Sequence, residues 1–309
     1  MNRLGNNKIL ITGATGTVGS ELVKQLYSST FSSNIYIKAA IHSKKKEGKL
    51  NSYKGLEIIG LDYKSPKTLA NAFKDIDKLF LLTIPNPNRS DDFVNIIKEA
   101  KNNRIKYIVK LSAEVANVGP ETIFGKQHRQ EEKIIEESGI PYTFLRPSGF
   151  MQNFVNYYGH TIKTQNAFYL SAGNGQMSFV DVRDIVSIAV KALLLLPSDI
   201  NNDESNWQLY KNKSFYISGK EALSYYQAAE VLSKTIGRKI SYVDITEEEA
   251  RKGMEELGME DWFIDAMIEL NNIIKHGYAS QITDVIEKIT GREPITFEQF
   301  VRDHVNFFK

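Results

Sequence analysis

The chain contains no cysteine. That excludes disulfides, thiolate nucleophiles, cysteine redox switches and thiolate-built zinc sites. Histidine is scarce: five in 309 residues, scattered and without metal-ligand spacing, so no metal is expected. Charge of one sign is missing as well. The 39 basic and 37 acidic residues leave a net charge of +2, too near neutral for nucleic-acid binding by bulk charge. Long apolar runs are absent. The longest aliphatic run, Ala192 to Leu196, is far too short to span a bilayer, and no apolar signal region precedes the first β-rich run. No membrane association is expected. The reading is a cytoplasmic protein, with the nucleus as the alternative. No internal repeat and no low-complexity linker is visible.

What is present is ordinary for a globular protein: 42% hydrophobic and 25% charged residues. The most informative stretch is Gly13-Ala14-Thr15-Gly16-Thr17-Val18-Gly19, directly after the apolar run Ile9-Leu10-Ile11. It reads as a buried strand, a glycine turn and the first turn of a helix with Val18, Leu22, Val23 and Leu26 at helical spacing. Glycines permit a tight turn and a close backbone approach to phosphates. The helix N-terminus then offers N–H groups and a partial positive charge to a dinucleotide pyrophosphate.

The first half alternates β-rich runs with helical patterns. Strands are predicted at Lys8–Thr12, Ile35–Ile41, Leu56–Leu61, Lys78–Leu82, Tyr107–Leu111 and Tyr142–Leu145. Helices are predicted from Ser65-Pro66, over Asp91–Asn102 and over Phe124–Ser138. Alternation of this kind implies an α/β fold: a Rossmann-type, doubly wound parallel sheet with right-handed crossovers. Ligands collect at the carboxyl ends of such strands, where His42, Asp62, Thr83 and Ser112 stand. The dinucleotide-binding domain is expected over residues 1–153, and a mostly helical C-terminal region over 154–309 completes the sheet edge and the second pocket. In that region Asp181-Val182-Arg183-Asp184 opens a helix to Leu196, its aspartate read as an N-cap rather than a catalyst. Asn201–Asn212 reads as a polar loop. Capping-box patterns open helices at Ser224/Gln227, Thr246/Glu249 and Thr296/Gln299. Short strands are expected near Phe179, Phe215 and Tyr242.

The order of motifs carries more than any one of them. After Ile11-Thr12-Gly13-Ala14-Thr15-Gly16 come Gly60-Leu61-Asp62, Phe80-Leu81-Leu82-Thr83 and Val109-Lys110-Leu111-Ser112-Ala113. Ser138-Gly139-Ile140-Pro141-Tyr142-Thr143, Leu145-Arg146-Pro147, Phe150-Met151-Gln152-Asn153 and Val180-Asp181-Val182-Arg183-Asp184-Ile185 follow, and Thr290-Gly291-Arg292 with Phe297 to Phe300 extend the match. In this order the chain resembles the NmrA-like family of atypical short-chain dehydrogenase/reductases. The resemblance implies either an NAD(P)H-dependent quinone or azo-compound reductase, or an NADP(H)-binding redox sensor with little turnover.

NADP(H) is favoured over NAD(H). An acidic residue at the end of the second strand would bind the adenosine ribose hydroxyls and repel a 2′-phosphate. Here the sequence is His42-Ser43-Lys44-Lys45-Lys46, all donors or cations. The pyrophosphate is assigned to Gly13, Ala14, Thr15, Gly16, Thr17 and Val18. The resemblance further places Asp62 and the Tyr63 backbone at the adenine. Thr83, Ile84 and Pro85 would line the cofactor between its ribose and phosphates. Phe150, Met151, Gln152 and Asn153 would stand beside the nicotinamide ribose and carboxamide.

The chemistry departs from the pattern of short-chain dehydrogenases. Their Tyr-x-x-x-Lys pair, aligned through Ser138-Gly139-Ile140-Pro141-Tyr142, falls on Phe124 and His128. Phenylalanine transfers no proton. His128 is the expected ribose contact and a candidate proton shuttle near neutral pH, with Lys126 as a second ribose candidate. Ser112 is a candidate hydrogen-bond donor to the acceptor oxygen. Loss of the tyrosine disfavours carbonyl chemistry but not quinone reduction, where positioning matters more than acid catalysis. The competing readings are a quinone-type reductase acting on a small molecule, a sensor acting through a protein partner and, more weakly, a sugar-nucleotide epimerase. Sequence leaves the oligomeric state open.

Overall fold

The computed structural model describes residues 7–29, 35–43, 48, 50–83, 90–195 and 204–309. Its strands are β1 (Asn7–Ile11), β2 (Ile35–Ile41), β3 (Glu57–Gly60), β4 (Lys78–Leu81), β5 (Tyr107–Leu111), β6 (Tyr142–Pro147), β7 (Ala167–Leu170), β8 (Gln176–Met177), β9 (Lys213–Ile217), β10 (Leu223–Ser224) and β11 (Ser241–Asp244). Seven of them form one sheet in the order β3-β2-β1-β4-β5-β6-β9. β1 pairs parallel with β2 and β4, β2 with β3, and β5 with β4 and β6. The flanking bonds Asn212 N to Tyr142 O and Ser148 N to Ile217 O keep β9 running the same way as β6.

The central strands are apolar on both faces because helices cover both. Ile9, Leu10 and Ile11 are fully buried, as are Leu79, Phe80 and Leu81. Three buried lysines interrupt this apolar pattern among the described residues: Lys38 in β2, whose ammonium donates to the carbonyls of Asn71 and Lys74, and two more. Lys78, in β4, turns its ammonium to the carbonyls of Leu193 and Leu195, where it caps the C-terminal end of the helix Val182–Leu194. Lys110, in β5, belongs to the site described below.

The chain divides into two compact units. One comprises residues 1–112, 127–146 and 185–215; the other comprises 113–126, 147–184 and 216–309. They interleave along the chain. The core of the second unit is aromatic. Phe154 meets Tyr158, Phe168, Phe179, Tyr225 and Phe297 at centroid distances of 4.7 to 6.0 Å. This core is closed by the parallel pair β7–β11 and the antiparallel pair β8–β10.

The helices begin where their capping residues stand. Ser224/Gln227 and Thr246/Glu249 form full capping boxes, and the Thr296 side chain accepts from Gln299 N. Ser65 is an N-cap by position with Pro66 after it, but its side chain makes no capping bond. One expectation fails. The segment Asn201–Asn212 is not simply a polar loop: it contains the helix Glu204–Tyr210. Trp207 and Tyr210, three residues apart on one face, are buried, and Trp207 sets its ring edge against Tyr107 at 4.9 Å. Two aromatic anchors outweigh the polar composition around them. Residues 201–203 lie outside the described residues.

Candidate functional site

The glycine turn behaves as three separate devices. Gly13 takes φ +63°, which side-chain-bearing residues rarely adopt, and turns the chain out of β1. Gly19 packs against the turn: a Cβ there would lie 2.2 Å from the Gly13 carbonyl oxygen. Gly16 differs from both. A Cβ built on it meets only the Gly13 oxygen, at 3.3 Å, and the residue is exposed. Its free side faces open space at the start of the 12-residue helix Thr17–Ser28, where Gly16 is the N-cap and no side chain caps the helix. This side lies close to the positive end of the helix dipole, which favours an anion. The turn is held from behind by Ala14 N bonding Ala40 O at 3.1 Å.

The neighbouring strand ends are tied together. Thr12 Oγ1 accepts from Leu82 N at 2.7 Å and donates to Leu82 O at 3.0 Å. The Tyr63 phenol also donates to Leu82 O, at 3.0 Å. Burial pushes this phenol up to about 12. The Tyr63 side chain is therefore structural, leaving its backbone for the expected adenine contact. Asp62 is exposed after β3 and accepts from Lys64 N at 3.0 Å, a local turn that holds its carboxylate outward. His42 is exposed at the end of β2, and Ser43 follows it half-buried. Lys44, Lys45, Ile84 and Pro85 lie outside the described residues.

Behind Thr83 runs a buried charged chain. Thr83 Oγ1 donates to Glu131 Oε2 at 2.9 Å, and Lys110 Nζ pairs with the same oxygen at 2.8 Å. Lys110 also donates to the ring nitrogen Nδ1 of His128 at 3.3 Å. An ammonium has only hydrogens to give, so Nδ1 accepts and Nε2 carries the ring hydrogen. Burial, helped by the Lys110 charge, holds the imidazole well below its ordinary range. His128 is thus a neutral, tautomer-fixed donor, not a proton shuttle at neutral pH. The signal for this arrangement stood in the sequence: a lysine inside an apolar strand, Tyr107-Ile108-Val109-Lys110-Leu111, demands a buried counter-charge.

Ser112 leads elsewhere. Its hydroxyl donates to Glu132 Oε1 at 2.8 Å, and Arg146 grips both oxygens of that carboxylate at 2.9 and 2.7 Å. The single hydroxyl hydrogen is therefore engaged by protein. Phe124, at the position of the missing tyrosine, is a core residue of the second unit, packed edge-on against Trp262 and Phe263. Lys126 pairs with Glu121 at 3.5 Å, its side chain 64% exposed.

In the Phe150 segment the side chains divide. Met151 is buried. Gln152 donates to Asp181 at 3.1 Å and accepts from Val182 N at 3.1 Å, pinning the start of the following helix. Asp181 accepts from Arg183 N at 2.8 Å, the capping role read from sequence. Phe150 and Asn153 are half-buried, and Phe150 bridges to Val180. Among the described residues, no group of three or more metal-ligating side chains occurs, and no helix is long and apolar enough to cross a membrane.

The family model described as the NmrA-like family matches residues 5–301. The chain belongs to the NmrA-like family. This NmrA-like protein is 32% identical over 300 residues to the NAD(P)H azoreductase of Xenophilus azovorans, covering 97% of this chain and 99% of that one. In fold it is similar to an NADPH-dependent quinone oxidoreductase of Escherichia coli solved with NADPH (TM-score 0.81, 22% identity, 96% and 99% of the two chains). It is similar too to the Citrobacter sp. triphenylmethane reductase complexed with NADP(H) (TM-score 0.78, 24% identity, 96% and 99%).

Proposed function

We propose that this NmrA-like protein is an NADPH-dependent reductase passing hydride to a quinone or similar conjugated acceptor. The observation that carries the reading is the open side of Gly16 at a helix start without a side-chain cap, a cradle that a Cβ would fill. The names of its relatives, an azoreductase and a quinone oxidoreductase among them, point the same way. Residues 13–18 would hold the pyrophosphate through backbone N–H groups. Asp62 and the Tyr63 backbone would meet the adenine, and Thr83, Ile84 and Pro85 the central span. His42, Ser43, Lys44 and Lys45 would meet a 2′-phosphate; the lack of an acid there favours NADP(H) over NAD(H).

His128 offers its Nε2–H to the nicotinamide ribose, and its neutral state suits a hydrogen-bond donor. Asn153 is the polar group assigned to the carboxamide, with Phe150 beside it. When bound, the cofactor supplies hydride. Phe124 supplies no proton, so the acceptor is one whose reduced form is stabilised by conjugation. The partner on this reading is a small molecule.

Calorimetric titration with NADPH and NADH, followed by loss of the reduced-nicotinamide absorbance with a panel of quinones, tests the proposal. Tighter NADPH binding with acceptor-dependent turnover is expected. In Gly16→Val, binding should weaken by about 100-fold or more while the thermal midpoint stays near the parent value. Wild-type-like binding by a folded Gly16→Val would overturn the pyrophosphate assignment. Tight binding with no turnover on any acceptor would replace the reductase by an occupancy sensor working through a protein partner.

A further inference from the structure

Hydride transfer alone leaves the reduced acceptor one proton short, and Phe124 has none to give. Three parallel strands of the central sheet converge on an unused acid. Glu114 lies just beyond the end of β5, Ser148 follows β6 directly, and Tyr216 is the penultimate residue of β9. The carboxyl ends of parallel strands are where ligands of such sheets collect. Glu114 is 4% exposed. Its backbone N–H is tied to Pro147 O at 3.1 Å, which fixes the residue at the start of the short helix Val115–Val118.

The Tyr216 phenol donates to Glu114 Oε2, and Ser148 makes a second hydrogen bond to the same side chain. Ser178 extends the chain by donating to Ser148 Oγ at 3.2 Å. Behind Tyr216, Thr283 Oγ1 holds the Tyr216 carbonyl at 2.9 Å. The groups facing Glu114 are thus a phenol and serine hydroxyls. Burial raises its carboxyl to about 7, and the hydrogen bonds from Tyr216 and Ser148 pull the other way. Burial and the Glu114 charge together push the Tyr216 phenol above its ordinary value, so it stays protonated and serves as a donor. A buried carboxyl ringed by hydroxyls, with no cation paired to it among the described residues, is suited to give up and recover one proton.

Resting on the reductase reading, we propose that Glu114 is the acid that protonates the reduced acceptor, taking the part the absent helix tyrosine plays in other short-chain dehydrogenases. Hydride reaches the acceptor from the reduced nicotinamide, two electrons with one proton. The O–H bond of Glu114 then breaks, and its proton bonds to the acceptor oxygen or nitrogen. The carboxylate left behind recovers a proton from water through the Tyr216, Ser148 and Ser178 hydroxyls. The nicotinamide ends oxidised by two electrons and the acceptor reduced by two electrons and two protons, the second drawn from water.

The test uses Glu114→Gln, which keeps the shape and the acceptor oxygen for Tyr216, with quinone and azo acceptors assayed across pH. A general acid matters most where the reduced acceptor is most basic. Turnover of Glu114→Gln should therefore fall little on quinones and by about 100-fold on azo nitrogen, and the near-neutral limb of the pH profile should vanish. A structural role would lower both acceptors alike and leave the limb in place, which would overturn the proposal. Tyr216→Phe removes a bond that favours the carboxylate, so its limb should move to higher pH; an unmoved limb counts against Glu114. A readout independent of turnover is the carboxyl carbon signal of labelled glutamate. One resonance should titrate near neutral pH and be missing from Glu114→Gln; titration of Glu114 in the acid range would overturn the proposal. If the wild-type protein turns over no acceptor, the reductase reading itself falls and takes this one with it. Turnover unaffected in Glu114→Gln removes only the acid.

Discussion

Glu132 and Glu114 are both hidden, 0% and 4% exposed, yet their carboxyls are shifted in opposite directions. Burial pushes each carboxyl up. At Glu132 the Arg146 fork, Ser112 and Lys110 overcome burial and hold the group below its ordinary range. At Glu114, among the described residues, only hydroxyls answer, and burial wins. The first acid is a fixed anion in a network of charges on β5, β6 and the helix Ile123–Ser138. The second is an acid raised to about 7 among hydroxyls. Burial sets the cost of a charge; the partner decides whether that cost is met. One unit has used its buried carboxylates to fix side chains such as His128, while the other keeps a proton in reserve.

The comparison breaks hardest at Arg146. Arg146→Ala leaves the Glu132 anion with Ser112, the more distant charge of Lys110 and the half-exposed Arg129, bound at 3.2 Å. Removing one partner of a buried pair costs about 3 to 5 kcal/mol, read as a fall in the denaturant midpoint. A loss below about 1 kcal/mol would mean that the pair behaves as a surface contact.

The next effect has a sign that depends on pH. Glu114 has a folded value of about 7 against an ordinary 4.5. The folded state binds the extra proton, so this contribution is fully present below pH 4.5 and is lost as pH rises to about 7. The swing is about 3 kcal/mol. Glu114→Gln does not titrate there, so its stability relative to wild type should improve by about that amount between the two ends of the window. A difference flat with pH would refute the raised value. His128 has the opposite sign. Its ring is held neutral, so its contribution is present above 6.5, the ordinary value, and is lost as pH falls below it. His128→Gln should flatten the acid limb of stability and leave the alkaline side unchanged.

The sheet was legible because its strands are buried on both faces and read as unbroken apolar runs, from Ile9-Leu10-Ile11 to Leu79-Phe80-Leu81. The turn at Gly13, Gly16 and Gly19 was legible because a strand, a glycine turn and a helix start are local in sequence. Trp207 and Tyr210 were obscured by polar neighbours, although their spacing of three marks one helical face. The pair β7–β11 was only half foreseen, since parallel pairing of Ala167–Leu170 with Ser241–Asp244 is non-local. Glu114 was invisible for the same reason. Nothing in Leu111-Ser112-Ala113-Glu114 separates a surface glutamate from a buried acid. The phenol that defines it stands 102 residues away in sequence.

Ser112→Ala sharpens the comparison with the smallest change. The hydroxyl is one of several donors to Glu132, and Arg146 remains in place after its loss. A net cost of about 1 kcal/mol is expected from one hydrogen bond, with the carboxyl of Glu132 moving upward because a donor to its ionised form is gone. The Michaelis constant for the acceptor should not move, because the serine hydrogen already points at a carboxylate of higher affinity than any quinone oxygen. A rise of about tenfold would instead mean that substrate draws this hydroxyl away from Glu132 (about 1.4 kcal/mol of contact).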